Sequence, residues 1–296
     1  LRLAVAAAWA GLALALWHLA IRRTVEPRPA SGASASARRD RRPADLRWLG
    51  RSATSARTAI AARCQHYWFT DPRYLASLVV IPLLLVLFWF MSSTVGGGDA
   101  SLLLLMGPVT AWALGYSLSA DIGYDHTAFH HHVLAGVRGV DDRWGRVLGL
   151  FGWGLPLVVV VTAATVAADG DWVLLPALLG ASLGLLGACT GLSSLVSARW
   201  VYPVPRPGES PLKTPQGAAA RTLIVQGVSL VATAVLAVPM AVPFVVLLVT
   251  GASVWSWVTL VVGVAWGALA LGLGVRWGAA WYDRAQAETL QAVKAW

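Results

Sequence analysis

Seven stretches of this chain contain no Lys, Arg, Asp or Glu: 3–21, 75–95, 101–120, 147–168, 172–197, 222–250 and 255–275. Crossing a hydrocarbon layer about 30 Å thick takes about 20 apolar residues in a helix. Only helices and closed barrels satisfy every backbone polar group inside that layer. Barrel strands alternate apolar and polar over about ten residues, whereas these blocks are apolar throughout. The fold class read from them is all-α, a polytopic membrane protein with about seven transmembrane helices. Composition agrees: 12% of the chain is charged, against about 25% in soluble domains.

The net charge of +9 invites a nucleic-acid reading, but the placement of the charges removes the need for one. Of the 23 basic residues, 22 fall in segments 22–73, 121–146, 199–221 and 276–296, while the alternate connections 96–100, 169–171 and 251–254 hold none. Basic loops stay on the cytoplasmic side during insertion. The expected topology therefore has the N-terminus of this segment outside and its C-terminus in the cytoplasm. The basic segments are also expected to contact anionic headgroups of the lipid bilayer. With one cysteine in a cytoplasmic segment (Cys64) and one inside a span (Cys189), no structural disulfide is expected.

Block 3–21 is long enough to span, shows no small-residue cleavage site before Arg22, and is read as a transmembrane helix of a longer chain. Segment 22–44, rich in Arg, Ala, Ser and Pro, is expected to be a disordered basic linker. Between 45 and 74 the character changes. On a helix, Ala53, Ala56, Ile60, Cys64 and Tyr67 share a face flanked by Arg57 and Arg63, as in a helix lying in the membrane interface with its long side chains reaching headgroups. Asp71-Pro72 breaks it. Block 222–250 is longer than one crossing needs and contains Pro239 and Pro243. It is either one tilted, kinked helix or a crossing followed by a re-entrant segment shielded by protein. Segment 199–221 carries five prolines and should run extended as a stiff connector. Residues 277–296 form a cytoplasmic tail.

The most informative connection is 121–146, DIGYDHTAFHHHVLAGVRGVDDRWGR. Asp125 suits a helix N-cap and Gly136 a stop, giving a helix of roughly ten residues with Phe129, Val133 and Val137 near one face. Such a helix can dock into a groove on a soluble partner or rest on the membrane. His126 and His130 stand at i, i+4, but no further ligand set accompanies His131 and His132, so neither metal nor cofactor is expected. The chain has no P-loop motif and no Ser/His/Asp set, and is not expected to be an enzyme. Ion-coupled carriers place ionisable residues inside spans, and these blocks have none.

Two local sequences carry a resemblance: RCQHYWFTDPRY from Arg63 and YDHTAFHHHVLAGVRGVDDRWGR from Tyr124. With the order of lead-in helix, six blocks and polar loop, the chain resembles the C-terminal half of ABC-2-type permeases, the membrane subunits of ATP-driven exporters in the cell membrane. The resemblance implies an elbow helix over 45–74, with Arg63, Trp68, Asp71, Pro72 and Arg73 in its lead-in, and a six-helix bundle over 75–276. It implies a coupling helix in the 121–146 loop, where Asp125, Thr127, Gly136, Arg138, Gly139, Asp142 and Arg146 match pattern positions and Phe129 and Val133 form the docking face. It implies a re-entrant helix before the last span. ATP would be hydrolysed by a separate ABC ATP-binding subunit, and block 3–21 would end a preceding half, so a second permease half or chain is a further expected partner. The three consecutive histidines depart from the bulkier apolar residues of that loop. The competing functions are an ion-gradient-driven secondary transporter and a non-transporting membrane scaffold.

Overall fold

The computed structural model describes residues 54–94, 100–206, 208–210 and 219–294, all of them helix, turn or irregular chain with no strand. Block 3–21, the 22–44 linker and the first part of the 45–74 lead-in lie outside the described residues.

Helix α1 (Ala56–Thr70) opens on a capping box, in which Ser55 accepts from the Thr58 N–H and the Thr58 hydroxyl answers the Ser55 N–H. Asp71 then takes extended backbone, as a residue before proline does, and Pro72 starts α2 (Pro72–Thr94). A 3-10 segment, Ala100–Leu105, leads into α3 (Met106–Ser117), followed by α4 (Asp121–Asp125) and α5 (Phe129–Leu134), with 3-10 turns between them. The long helices α6 (Gly139–Asp169), α7 (Leu174–Arg199), α8 (Ala219–Thr250) and α9 (Val254–Arg284) complete the bundle, and α10 (Gln286–Lys294) closes the described chain. Among the described residues six stretches are long and apolar enough to cross a membrane: Pro72–Ser92, Leu102–Leu134, Gly139–Asp169, Leu174–Arg199, Ala219–Thr250 and Val254–Arg284.

The centre of the bundle is the contact between α7 and α9. Small residues recur every three or four positions on both helices: Ala177, Gly180, Gly184, Gly187, Gly191 and Ser194 face Ser256, Thr259, Gly263, Gly267, Ala270, Gly274 and Gly278. A Cβ at Gly187 would lie 2.6 Å from the Gly267 carbonyl oxygen, so the backbones touch. Partner numbers rise together along the two helices, so α7 and α9 run parallel, with α8 returning between them. Without a hydrophobic drive between helices in lipid, this close approach supplies the packing that holds spans together. Ser256 ties one end, donating to the Val173 carbonyl at 2.6 Å and accepting from the Ala177 N–H at 3.0 Å.

Helix α8 is one continuous helix of 32 residues with both prolines inside it. At about 1.5 Å per residue it is about 48 Å long, so tilt or overhang absorbs the excess length and the re-entrant reading falls. The Trp266 indole donates to the Leu236 carbonyl at 2.8 Å, bracing α8 just before its prolines. Most of α8 faces outward: its buried residues are Ser229, Thr233, Met240, Pro243 and Leu247, on one stripe. Helix α2 is similarly peripheral.

Several expectations shift. The buried face of α1 is rotated from the one expected, to Ile60, Ala61, Cys64, Gln65 and Trp68, while Ala56 is exposed and Tyr67 half-buried. That face packs on α6, where Gly145 and Gly149 give it room; a Cβ at either would come within 2.8 Å of Ile60 or Cys64. The 277–296 tail does not trail away: α9 continues to Arg284, and α10 docks back with Val293 fully buried. Residues 201–204 of the proline-rich connector pack Val201, Tyr202 and Val204 against the bundle end, and the Tyr202 and Ser119 hydroxyls meet at 2.9 Å.

Candidate functional site

The polar connection expected over 121–146 is mostly helix. Its only non-helical link between α5 and α6 is 135–138, reversed at Gly136 with φ of 58°. Helix α6 has 31 residues, about 46 Å against a hydrocarbon thickness of about 30 Å. The surplus is its first turns, so Asp142, Arg143 and Arg146 sit on the helix that becomes the span. Asp141 and Asp142 in the first turn complement the positive end of the helix dipole. Asp121 and Asp125, one turn apart, extend the preceding span in the same way.

These residues meet in a closed network. Arg146 Nε donates to Asp142 at 2.9 Å (its own helix, i, i+4), and its Nη2 donates to Asp125. Arg146 Nη1 faces Asp121 Oδ2 at 3.6 Å, and the other Asp121 oxygen accepts from the Tyr74 hydroxyl at 2.7 Å. Arg143 pairs with Asp142 and donates to the Ser197 hydroxyl at 2.7 Å, with its guanidinium 5.6 Å from the Tyr282 ring centre. Arg63 of α1 reaches Asp125 at 3.2 Å. His132 Nδ1 lies 2.8 Å from Asp142 Oδ1, off the line of a hydrogen bond. The side chains of Asp121, Asp125, Asp142, Arg143 and Arg146 are at most 3% exposed. Three carboxylates thus face three guanidiniums, two of them fully inside and the third, Arg63, 24% exposed. A buried ion pair is tolerated best when its partners and remaining hydrogen-bond sites are met; here one guanidinium faces three acids, hydrogen-bonding Asp125 and Asp142 while its Nη1 and the facing Asp121 Oδ2 make only an ion pair.

The flanking groups respond to the same field. Burial acts to lower the Arg63 pKa and the Arg146 charge adds to it, but the Asp125 carboxylate together with Cys64 and Tyr67 outweighs both and holds Arg63 above its ordinary range. Burial pushes the Cys64 thiol, on the α1 face beside the network, from 9.0 up to about 12. No member is left as a nucleophile with a base at hand. Its side chains join helices α1, α2, α4, α6, α7 and α9.

A second set of contacts ties the 126–139 segment to the chain's end. The Gly139 N–H donates to Asp283 at 2.6 Å, the Gln286 side chain to the Val137 carbonyl at 3.3 Å, and the Phe129 ring stands edge-on to Tyr282 at 5.7 Å. The lead-in motif forms a third. Asp71 accepts from the Arg73 N–H at 2.9 Å and pairs with its guanidinium, which also donates to the Tyr124 carbonyl at 3.0 Å and the Pro205 carbonyl at 3.2 Å. Trp68, wholly buried, stands edge-on to Tyr74 and to Trp153, each at 5.0 Å.

The structure thus brings together Arg63, Asp125, Asp142 and Arg146, gathers Trp68, Asp71, Pro72 and Arg73 at one corner, and corrects the docking face. Phe129 is fully buried and Val133 half-buried, so neither offers a free face. Asp125 caps nothing; the helix breaks at His126, whose backbone takes φ of 45° and ψ of −129°, and the Asp125 carboxylate turns into the network. Arg57 and Arg63 reach acids, Arg57 pairing with Asp141 at 3.0 Å, where headgroups were expected. The exposed positions are Thr127, His131, Leu134, Ala135, Gly136 and Arg138, with Leu134 71% exposed. His132 points inward and His131 outward, and among the described residues no group of three or more His, Cys, Asp or Glu is placed to hold a metal. Sequence reasoning missed Asp121, Arg143, Tyr74 and Tyr282. The i, i+4 spacing of Asp121 with Asp125, and of Asp142 with Arg146, was the available signal.

Comparison with protein-family models, with curated proteins and with solved structures gives no match.

Proposed function

We propose that this chain is the membrane-spanning permease of an ATP-driven exporter of the ABC-2 type, worked by a separate ATPase that docks on the 127–138 apex. The observation that carries the reading is the contrast within this apex. Leu134 is 71% exposed at its tip, while both flanks are fixed into spans through Asp125, Asp142 and Arg146. A large apolar side chain held out on a rigid mount suits a groove on a partner. In this reading the basic end of the bundle is cytoplasmic, and the apex lies between the second and third described spans.

Closure of the ATPase pushes the apex. Because Arg146 joins α4 to α6, the push moves both spans together as a rigid-body rotation, the kind of motion that switches access between two membrane faces. The exposed docking residues are Thr127, His131, Leu134 and Arg138; Phe129 and Val133 support them from beneath. The uninterrupted α8 means the proposal includes no re-entrant helix.

The test is purification of the tagged full chain from its native membranes in mild detergent, with mass spectrometry of what accompanies it. A stoichiometric P-loop ATPase, lost in Leu134→Asp, is the expected result. Recovery of the chain with no ATPase, together with flux that follows an ion gradient in vesicles, would overturn the proposal in favour of a secondary carrier.

A further inference from the structure

The α7–α9 register has a consequence at the ends of these two helices. The backbones are in contact along a parallel stripe that runs from Gly180 opposite Gly263 to Ser194 opposite Gly278. Continued one turn, the same register sets Arg199, in the last turn of α7, beside Trp281 in the last turns of α9. The Arg199 guanidinium lies 4.0 Å from the Trp281 ring centre and 5.6 Å from that of Trp200. On α9, Trp277, Trp281 and Arg284 follow at i, i+4 and i+7 and share one face. Trp200 and Trp277 are 44% and 57% exposed, and both arginines are exposed.

These arginines differ from those of the network. Arg57, Arg63, Arg73, Arg138, Arg143 and Arg146 each pair with a carboxylate of the protein. Among the described residues no carboxylate pairs with Arg199 or Arg284. Asp283, next to Arg284 in sequence, accepts from the Gly139 N–H on α6 through one of its oxygens. Stacking on an indole fixes the plane of a guanidinium while leaving its in-plane N–H donors free, and that fork matches two phosphate oxygens. The position is the edge of the apolar layer, since Arg199 and Arg284 are the last residues of their spans, and exposed Trp side chains at such an edge sit at headgroup depth.

We infer that the Arg199–Trp281–Arg284 patch is a binding site for the phosphate of an anionic phospholipid headgroup, with the indoles of Trp277 and Trp200 packing beside the acyl-chain boundary. The site is independent of the exporter reading: it requires only that α7 and α9 span a bilayer.

The test uses the full chain in detergent micelles and native mass spectrometry, with phosphatidylglycerol and phosphatidylcholine of equal chain length added in parallel. Phosphatidylglycerol should bind about tenfold more tightly than phosphatidylcholine, and Arg199→Gln with Arg284→Gln should erase that preference. Arg199→Lys should retain part of it, because charge survives and the planar fork does not. Equal binding of the two lipids by the unaltered chain would overturn the inference, as would an undiminished preference in the double variant. Inorganic phosphate is the third arm: if at the same concentration it displaces phosphatidylglycerol, the site takes free phosphate, and the lipid assignment fails. Both arginines are exposed, and a thermal unfolding midpoint unchanged by the substitutions shows that any loss of lipid reflects the site.

Discussion

Arg146, near the start of one span, donates to Asp125, at the end of the span before it, and does so from inside the protein. The two residues sit on either side of the apex and fix the distance between its two supports. Loss of one partner from a buried pair costs about 3–5 kcal/mol, whereas a partly exposed pair contributes about 0–1 kcal/mol. Arg146→Met should therefore lower the thermal unfolding midpoint of the purified protein severely, while Arg57→Gln, breaking the half-exposed pair to Asp141, should leave it almost unchanged. Equal effects would mean that the network does not hold this end together.

On the proposed docking, substitutions in the apex should separate fold from partner binding. Phe129→Ala removes a fully buried ring and should destabilise by about 3–5 kcal/mol. Leu134→Asp, at a tip 71% exposed, should change stability by no more than about 0.5 kcal/mol while abolishing recovery of the ATPase. Limited proteolysis of the two variants distinguishes them: cleavage in 126–138 should rise in the first only.

Glycine positions on α9 should sort by what faces them. A side chain at Gly267 meets the Gly184 backbone, and one at Gly272 meets nothing within 4 Å. Gly267→Leu should prevent α7 and α9 from closing and leave little folded protein in detergent, as size-exclusion profiles would reveal. Gly272→Ala should behave as the parent.

Burial pushes the pKa of the Cys64 thiol from 9.0 up to about 12. In the unfolded chain the thiol would lose its proton near pH 9, and in the folded protein only near 12. The contribution of this group to folding is therefore complete below pH 9 and is lost as pH rises from 9 to 12. At pH 10, maleimide should modify Cys64 in denatured protein within minutes and leave it intact in folded protein; rapid labelling of the folded form would contradict the packing of α1 on α6.

The spans were legible because a bilayer demands long uncharged runs: 147–168, 222–250 and 255–275 lie within helices long and apolar enough to cross, and 75–95, 101–120 and 172–197 overlap such helices over most of their length. Their ends were less legible. The charge-free blocks stopped at Ala120 and resumed at Val147, whereas the helices run on to Leu134 and back to Gly139, because ionised side chains that neutralise one another can ride on a helix beyond its apolar part. Pairing across 21 residues, as between Asp125 and Arg146, leaves no local pattern. The amphipathic face of α1 was displaced for a related reason: its partner is a glycine groove at Gly145 and Gly149, which hydropathy cannot see. Proline content failed to separate a kink from a re-entrant turn in α8, since both place Pro239 and Pro243 mid-segment.

The α7–α9 contact also sets an order of assembly. The two helices that form the centre of the bundle are separated in the chain by the whole of α8. During synthesis α7 enters the membrane with its row of glycines uncovered, and it stays so until α9 emerges alongside. Until then five of the six described spans are in place but the axis is missing, and the groove on α7 is a template that any small-residue helix in the same membrane can occupy. Chains halted between Thr250 and Gly278 would be natural prey for membrane quality control, and completion of α9 is the event that ends that exposure.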